Sequence, residues 1–125
     1  MRQKITPLFG ALLLLWGLAS CAPIQATSAL SQGDDRLEEA ERSGAHVIPS
    51  GDKFITMAQF EYQLAWHYVD KARQLQGFAK YDAAEFYARK AAELSQKAVE
   101  HMAEQNKRKQ RRREIKEGKV FHRHK

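Results

Sequence analysis

Cys21 is the only thiol in the 125-residue chain, so an internal disulfide framework is excluded and any thiolate chemistry belongs to this one residue. Two other sets of residues have chemical character. Lys107, Arg108, Lys109, Arg111, Arg112 and Arg113 form a dense cationic run, which should seek a polyanion. His122 and His124 flank Arg123; a His-x-His pair can touch a metal, but two ligands on a loose end make a poor site. The rest is quiet. His46, His67 and His101 have no carboxylate or cysteine at ligand spacing, and the acids sit at ion-pair spacings such as Asp70 with Arg73 and Glu85 with Arg89. Phosphate-loop, CxxC, HExxH and GxSxG patterns are absent, and no nucleophile–base pair stands out. We therefore expect no catalytic residue, no metal site, no cofactor and no enzymatic activity.

The elements that carry these residues begin with an address. Met1-Arg2-Gln3-Lys4 is a short basic start, followed by an apolar stretch through Ala11-Leu12-Leu13-Leu14-Leu15-Trp16. That stretch falls short of the about 20 residues of a membrane-spanning helix. A basic segment, a short apolar segment and small residues in that order read as a secretory signal over residues 1–20.

Leu18-Ala19-Ser20-Cys21 then resembles the lipobox of bacterial lipoproteins. The resemblance implies cleavage between Ser20 and Cys21, a diacylglyceryl group on the Cys21 sulfur and an acyl chain on its new amino group. Two or more chains anchor a protein stably where one does not. Ala22 at the next position resembles the outer-membrane sorting pattern of Gram-negative lipoproteins, which implies a body lipid-anchored on the periplasmic side of the cell outer membrane. A Gram-positive surface lipoprotein stays open.

Charge is unevenly divided. Residues 107–125 carry a net +8 and residues 1–106 a net −2. In a cytosolic protein such a run would suggest nucleic acid. The export signal and the lack of interleaved aromatics to stack bases argue for no nucleic acid here. The envelope polyanions are peptidoglycan, lipopolysaccharide and anionic lipid, and a plain solubilising tail is the alternative.

The expected fold is all-α: a short helix and a long antiparallel helical hairpin, with a disordered N-terminal linker and a basic C-terminal tail. Residues 21–33, small and polar, read as a lipid-anchored linker. Asp34-Asp35 opens a short helix that Ser43-Gly44 ends, and Val47-Ile48-Pro49-Ser50-Gly51 is a turn. A helix should run from about Asp52, its N-cap, to Gln76, with Gly77 as its stop. A second should start near Lys80 or Tyr81. Ala58, Ala65 and Ala72 are spaced by seven, and so are Ala84, Ala91 and Ala98. Each set forms a stripe on one helix face, and small residues on both let the axes approach closely. Tyr62, Tyr68, Tyr87 and Leu94 should flank this seam. The hairpin domain spans 34–106 and the tail 107–125.

Phe60, Trp66 and Phe86 lie off the alanine faces. The short helix through Leu37 and Ala40, a second copy of the chain or a partner should cover them.

The runs Leu37-Glu38-Glu39-Ala40, Ser43-Gly44-Ala45, Tyr68-Val69-Asp70-Lys71-Ala72-Arg73, Tyr81-Asp82-Ala83-Ala84 and Tyr87-Ala88-Arg89-Lys90-Ala91, with Pro49, resemble a family of bacterial lipoprotein helical domains of unknown function. That family occurs alone or ahead of peptidoglycan-binding domains of the outer-membrane-protein-A type. The resemblance covers about residues 35–103 and implies a fold and an envelope location, with no activity. Ala72, Tyr81, Ala84 and Ala91 also look like one tetratricopeptide unit, but Gln96 stands near its closing proline position, and arrays need about three repeats.

The functional expectation is a structural or adaptor lipoprotein. Cys21 would hold the membrane, and the basic tail would contact peptidoglycan or anionic lipid. The alternative is a protein–protein interaction module of an envelope complex, or a self-association surface, built on Phe60, Trp66 and Phe86.

Overall fold

A computed structural model describes residues 21–47 and 56–118. Three helices make up most of this: α1 (Cys21–Arg42), α2 (Met57–Gly77) and α3 (Tyr81–Lys116). The all-α hairpin is present. α2 and α3 run antiparallel and meet along the two alanine stripes. Ala58, Ala65, Ala72, Ala84, Ala91 and Ala98 are all at most 2 % exposed. Ala58 and Ala98 share one buried cluster, with Tyr62, Val99 and Met102 packed against it. Tyr68 and Tyr87 meet edge to face beside the seam, 5.4 Å between centroids, and Leu94 is half-buried.

The N-terminal linker is replaced by helix. Residues 22–33 belong to α1, which is 22 residues long and continuous with the expected short helix. The cause is a third stripe. Ala26, Gly33 and Ala40 are spaced by seven and are all buried, the spacing of the two stripes it packs against. Ala29, Ala72 and Ala88 form one cluster and Ala40, Ala58 and Ala98 another. α1 therefore runs antiparallel to α2 and parallel to α3. Gly33 marks the closest approach: a Cβ there would stand 3.1 Å from the Ala88 carbonyl oxygen. Helical propensity of this segment is poor, but burial of an apolar stripe supplies most helix stability in proteins.

This packing redirects the polar side chains of α1. Asp34 sits mid-helix and accepts from Arg73 of α2 at 2.7 Å, while Asp70 accepts from Gln74 at 2.8 Å. The i,i+3 pairing of Asp70 with Arg73 is thus displaced by a bridge between helices, joined by a Gln76–Thr27 hydrogen bond of 2.8 Å. Glu85 pairs with Arg89 at 2.7 Å, as its spacing requires.

Helix ends are set by local chemistry. Gly44, at φ 87°, ends α1: its N–H donates to Glu41 and that of Ala45 to Ala40, the Schellman arrangement. Asp52 lies outside the described residues, and α2 is capped by Thr56, whose hydroxyl accepts from the Gln59 N–H at 3.2 Å. The stop of α2 falls beyond Gly77, which is its last helical residue. The left-handed residue is Ala79 (φ 56°), with Ala79 N–H donating to Gln76 and Lys80 N–H to Leu75. An L-residue there costs roughly 1–2 kcal/mol. Ala79→Gly should therefore raise stability by about 0.5–1 kcal/mol after the extra freedom of glycine in the unfolded chain is counted. Thermal melting checks it, and a lower midpoint would contradict the left-handed turn.

α3 outlasts its neighbours. Met102 still touches the bundle, its Cε standing 3.7 Å from where a Cβ on Gly44 would be. The helix then continues to Lys116, an overhang of about 21 Å at 1.5 Å per residue. The first half of the basic tail is thus the exposed end of a bundle helix.

Candidate functional site

Among the described residues no three His, Cys, Asp or Glu side chains are grouped to hold a metal, and no helix is long and apolar enough to cross a membrane. The candidate sites lie at the two ends of the bundle and on its flank.

The first end carries Cys21, exposed at the start of the described helix. Ser20 lies outside the described residues. One residue on, Ala22 lines a small hollow with Ala79, Lys80 and Tyr81, so the start of α1 and the α2–α3 turn sit at the same level. Two large apolar side chains stand out here: Ile24, 67 % exposed, and Phe78, 76 % exposed. Sequence reasoning passed over both. Their signals were an isoleucine within a small, polar stretch and a phenylalanine directly after Gly77.

The second end is the overhang. Lys107, Arg108, Lys109, Arg111, Arg112 and Arg113 are all exposed, as is Lys116. At about 100° per residue these cations surround the helix rather than lining one face. Arg108 bonds Glu104 at 3.0 Å, and the partial negative charge of a helix C-terminus favours cations in its last turn. Hydrogen bonds from Arg108 and nearby positive charge lower the Glu104 carboxyl from its usual range. The other large apolar residue here is Ile115, 58 % exposed, so the overhang has no hydrophobic face. His122 and His124 lie outside the described residues.

The flanking aromatics are exposed: Phe60 52 %, Trp66 51 % and Phe86 57 %. α1 does not cover them. Nor does the fold gather them. Phe60 and Trp66 are about 120° apart around α2, and Phe86 lies on α3. Trp66 instead borders a shallow hollow with Tyr62, Gln63 and His67, and Phe86 packs edge to face on Tyr87.

Three polar side chains are buried among the described residues. Ser95 is fully buried beside the alanine stripe of α3, Gln59 is buried on α2, and Glu61 is buried 3.4 Å from the His101 ring. Ser95 Oγ, Gln59 Oε1 and Glu61 Oε2 lack hydrogen-bond partners. No nucleophile–base geometry results, and serine at this position keeps the seam small. Elsewhere Tyr62 is raised above the ordinary phenol range by burial and by the Glu41 charge. Glu93, bonded by Lys90 and Lys97, is held down to about 2.

No family model, no curated protein and no solved structure matches this chain.

Proposed function

We propose that this chain is a non-enzymatic envelope lipoprotein, lipid-anchored through Cys21 on the periplasmic side of the outer membrane, with a structural or adaptor role. Its basic tail contacts a polyanion of the envelope, either peptidoglycan or anionic lipid. The lipobox resemblance at Leu18-Ala19-Ser20-Cys21 supports the anchor, as does the exposure of Cys21 at the head of α1. The single observation that carries the adaptor reading is the overhang, a cationic helix end standing clear of the bundle. The likeness to bacterial lipoprotein helical domains agrees in location and in the lack of an activity.

Two experiments test it. Labelled palmitate should enter the membrane-bound protein in a bacterial host and should not enter Cys21→Ser, and equal labelling would remove the anchor. Unlipidated residues 22–125 should pellet with purified peptidoglycan sacculi or with anionic vesicles at low salt and release at high salt. A chain stopped at Asn106 should stay in solution, and equal pelleting of the two would remove the tail contact.

The exposed indole and hollow at Trp66 favour a second reading, an interaction module that binds another envelope protein. On that reading Trp66→Ala abolishes capture of the partner. It should alter stability by no more than about 0.5 kcal/mol, as exposed substitutions usually do. A large loss of melting temperature would place Trp66 in the fold instead.

A further inference from the structure

We infer that the bundle is a rigid spacer whose cationic end engages the cell wall, a carboxylate-bearing polymer standing off from the anchoring bilayer, rather than the bilayer that holds Cys21. The inference rests on the lipid-anchor reading and narrows its polyanion to one.

Three observations carry it. First, Cys21 and the cations are at opposite ends of the same body. α1 and α3 are parallel, as the shared clusters of Ala29 with Ala88 and of Ala40 with Ala98 require. Ala22 sits level with Tyr81. From Tyr81, α3 runs uninterrupted to Lys116, so Arg111 lies about 45 Å and Lys116 about 52 Å further along the axis. Ionic screening acts over about 8 Å at physiological salt, so at that height the anchoring leaflet exerts almost no pull on the cations.

Second, the chain has no slack in which to lie down. A flexible linker of a dozen residues would give the body a leash of about 19 Å. Those residues are instead helical and packed, with Ala26, Ala29 and Gly33 buried against the other helices. The lipid is attached directly to the bundle.

Third, the two ends differ in the way the two contacts need. The Cys21 end presents Ile24 and Phe78 to solvent, apolar side chains suited to the headgroup boundary where the acyl chains enter. Among the described residues the overhang has cations on every side and a single exposed large apolar side chain, Ile115, while Val47 and Met57 are exposed only at its base. A helix that inserts into the headgroup boundary of a bilayer needs an apolar face, whereas a charged polymer threading past needs none.

The test uses the single thiol of the mature chain. Residues 21–125 are coupled through Cys21 to maleimide-lipid vesicles of phosphatidylcholine, with and without phosphatidylglycerol, and mixed with purified sacculi. Vesicles bearing the chain should pellet with the sacculi at low salt. Vesicles bearing the chain stopped at Asn106 should not. Phosphatidylglycerol in the vesicles should leave the capture unchanged, and trypsin should cut at Arg111, Arg112 and Arg113 equally fast on both vesicle types. If phosphatidylglycerol abolishes capture and shields these sites from trypsin, the overhang lies on its own membrane and the inference is overturned. Capture that survives loss of the tail overturns it as well. The coupling is chemical, so none of these outcomes depends on lipidation in the cell. Failure of palmitate labelling would sink the anchor reading by itself, and failure here would sink only the spacer.

Discussion

Ala65→Leu is expected to cost about 3 kcal/mol and to lower the melting midpoint by roughly 12–24 °C. Ala65 is fully buried on the stripe that faces α3. Its register follows from the pairing of Ala58 with Ala98. Seven residues along α2 and seven back along α3 bring Ala65 opposite Ala91. Leucine adds three carbons where the backbones are held apart by two methyl groups. Overpacking of this kind typically costs about 1–3 kcal/mol, and the upper end applies because a neighbouring alanine cannot change rotamer to make room. A domain of this size is stable by roughly 5–10 kcal/mol, so about 30–60 % of its margin goes. Ala91→Leu should act alike. Ala103→Leu, on the exposed overhang, is the control and should change little. Unchanged melting of both Ala65→Leu and Ala91→Leu would remove the close-packed seam.

The hairpin was legible in the sequence and α1 was not. Ala58, Ala65 and Ala72, with Ala84, Ala91 and Ala98, lie in segments of good helix formers, so periodicity and propensity agree. Ala26, Gly33 and Ala40 have the same period, but among Pro23, Thr27, Ser28, Ser31 and Gly33, residues with low intrinsic preference for helix. Composition pointed to a tether, and tertiary packing decided otherwise. Gly33 shows the trade most clearly. It weakens the helix by up to about 1 kcal/mol relative to alanine, yet its missing side chain is what admits the backbone of Ala88. The boundary errors at Thr56 and Ala79 are of another kind, because several nearby residues can cap or stop a helix and only local geometry chooses among them.

Of the candidate site, residue types were readable and their arrangement was not. Cys21 and the six cations of residues 107–113 declare themselves by chemistry. That they stand at opposite ends depends on α1 running parallel to α3, which follows from the third stripe. Phe60, Trp66 and Phe86 were rightly placed off the seam, since the helical angle from an alanine stripe is simple arithmetic. Whether they formed one patch depended on how two helices are turned relative to each other, and a single sequence does not supply that.

Replacing Lys107, Arg108, Lys109, Arg111, Arg112 and Arg113 together by glutamine should leave the melting midpoint within a few degrees and remove salt-sensitive binding to sacculi. None of these side chains packs in the bundle, and glutamine forms helix nearly as well as lysine or arginine. The native arrangement even opposes helix. Lys107 with Arg111, Arg108 with Arg112, and Lys109 with Arg113 are like charges four residues apart, each unfavourable by about 0.2–0.5 kcal/mol. Set against the Arg108–Glu104 bridge and the favourable helix C-terminus, these repulsions leave the cations little net stabilising effect on the overhang. A bound polyanion would relieve the repulsion, so the parent chain should gain helical circular dichroism when a soluble peptidoglycan fragment or another polycarboxylate is added, and the glutamine variant should not. Each cation near an anionic surface contributes up to about 1 kcal/mol. If only a third of that is realised over six residues, about 2 kcal/mol remains, which is roughly a thirtyfold loss of affinity. High salt should weaken the parent to a similar degree and hardly affect the variant. A variant that pellets with sacculi as well as the parent at low salt would move the contact off the overhang and onto the flank around Trp66.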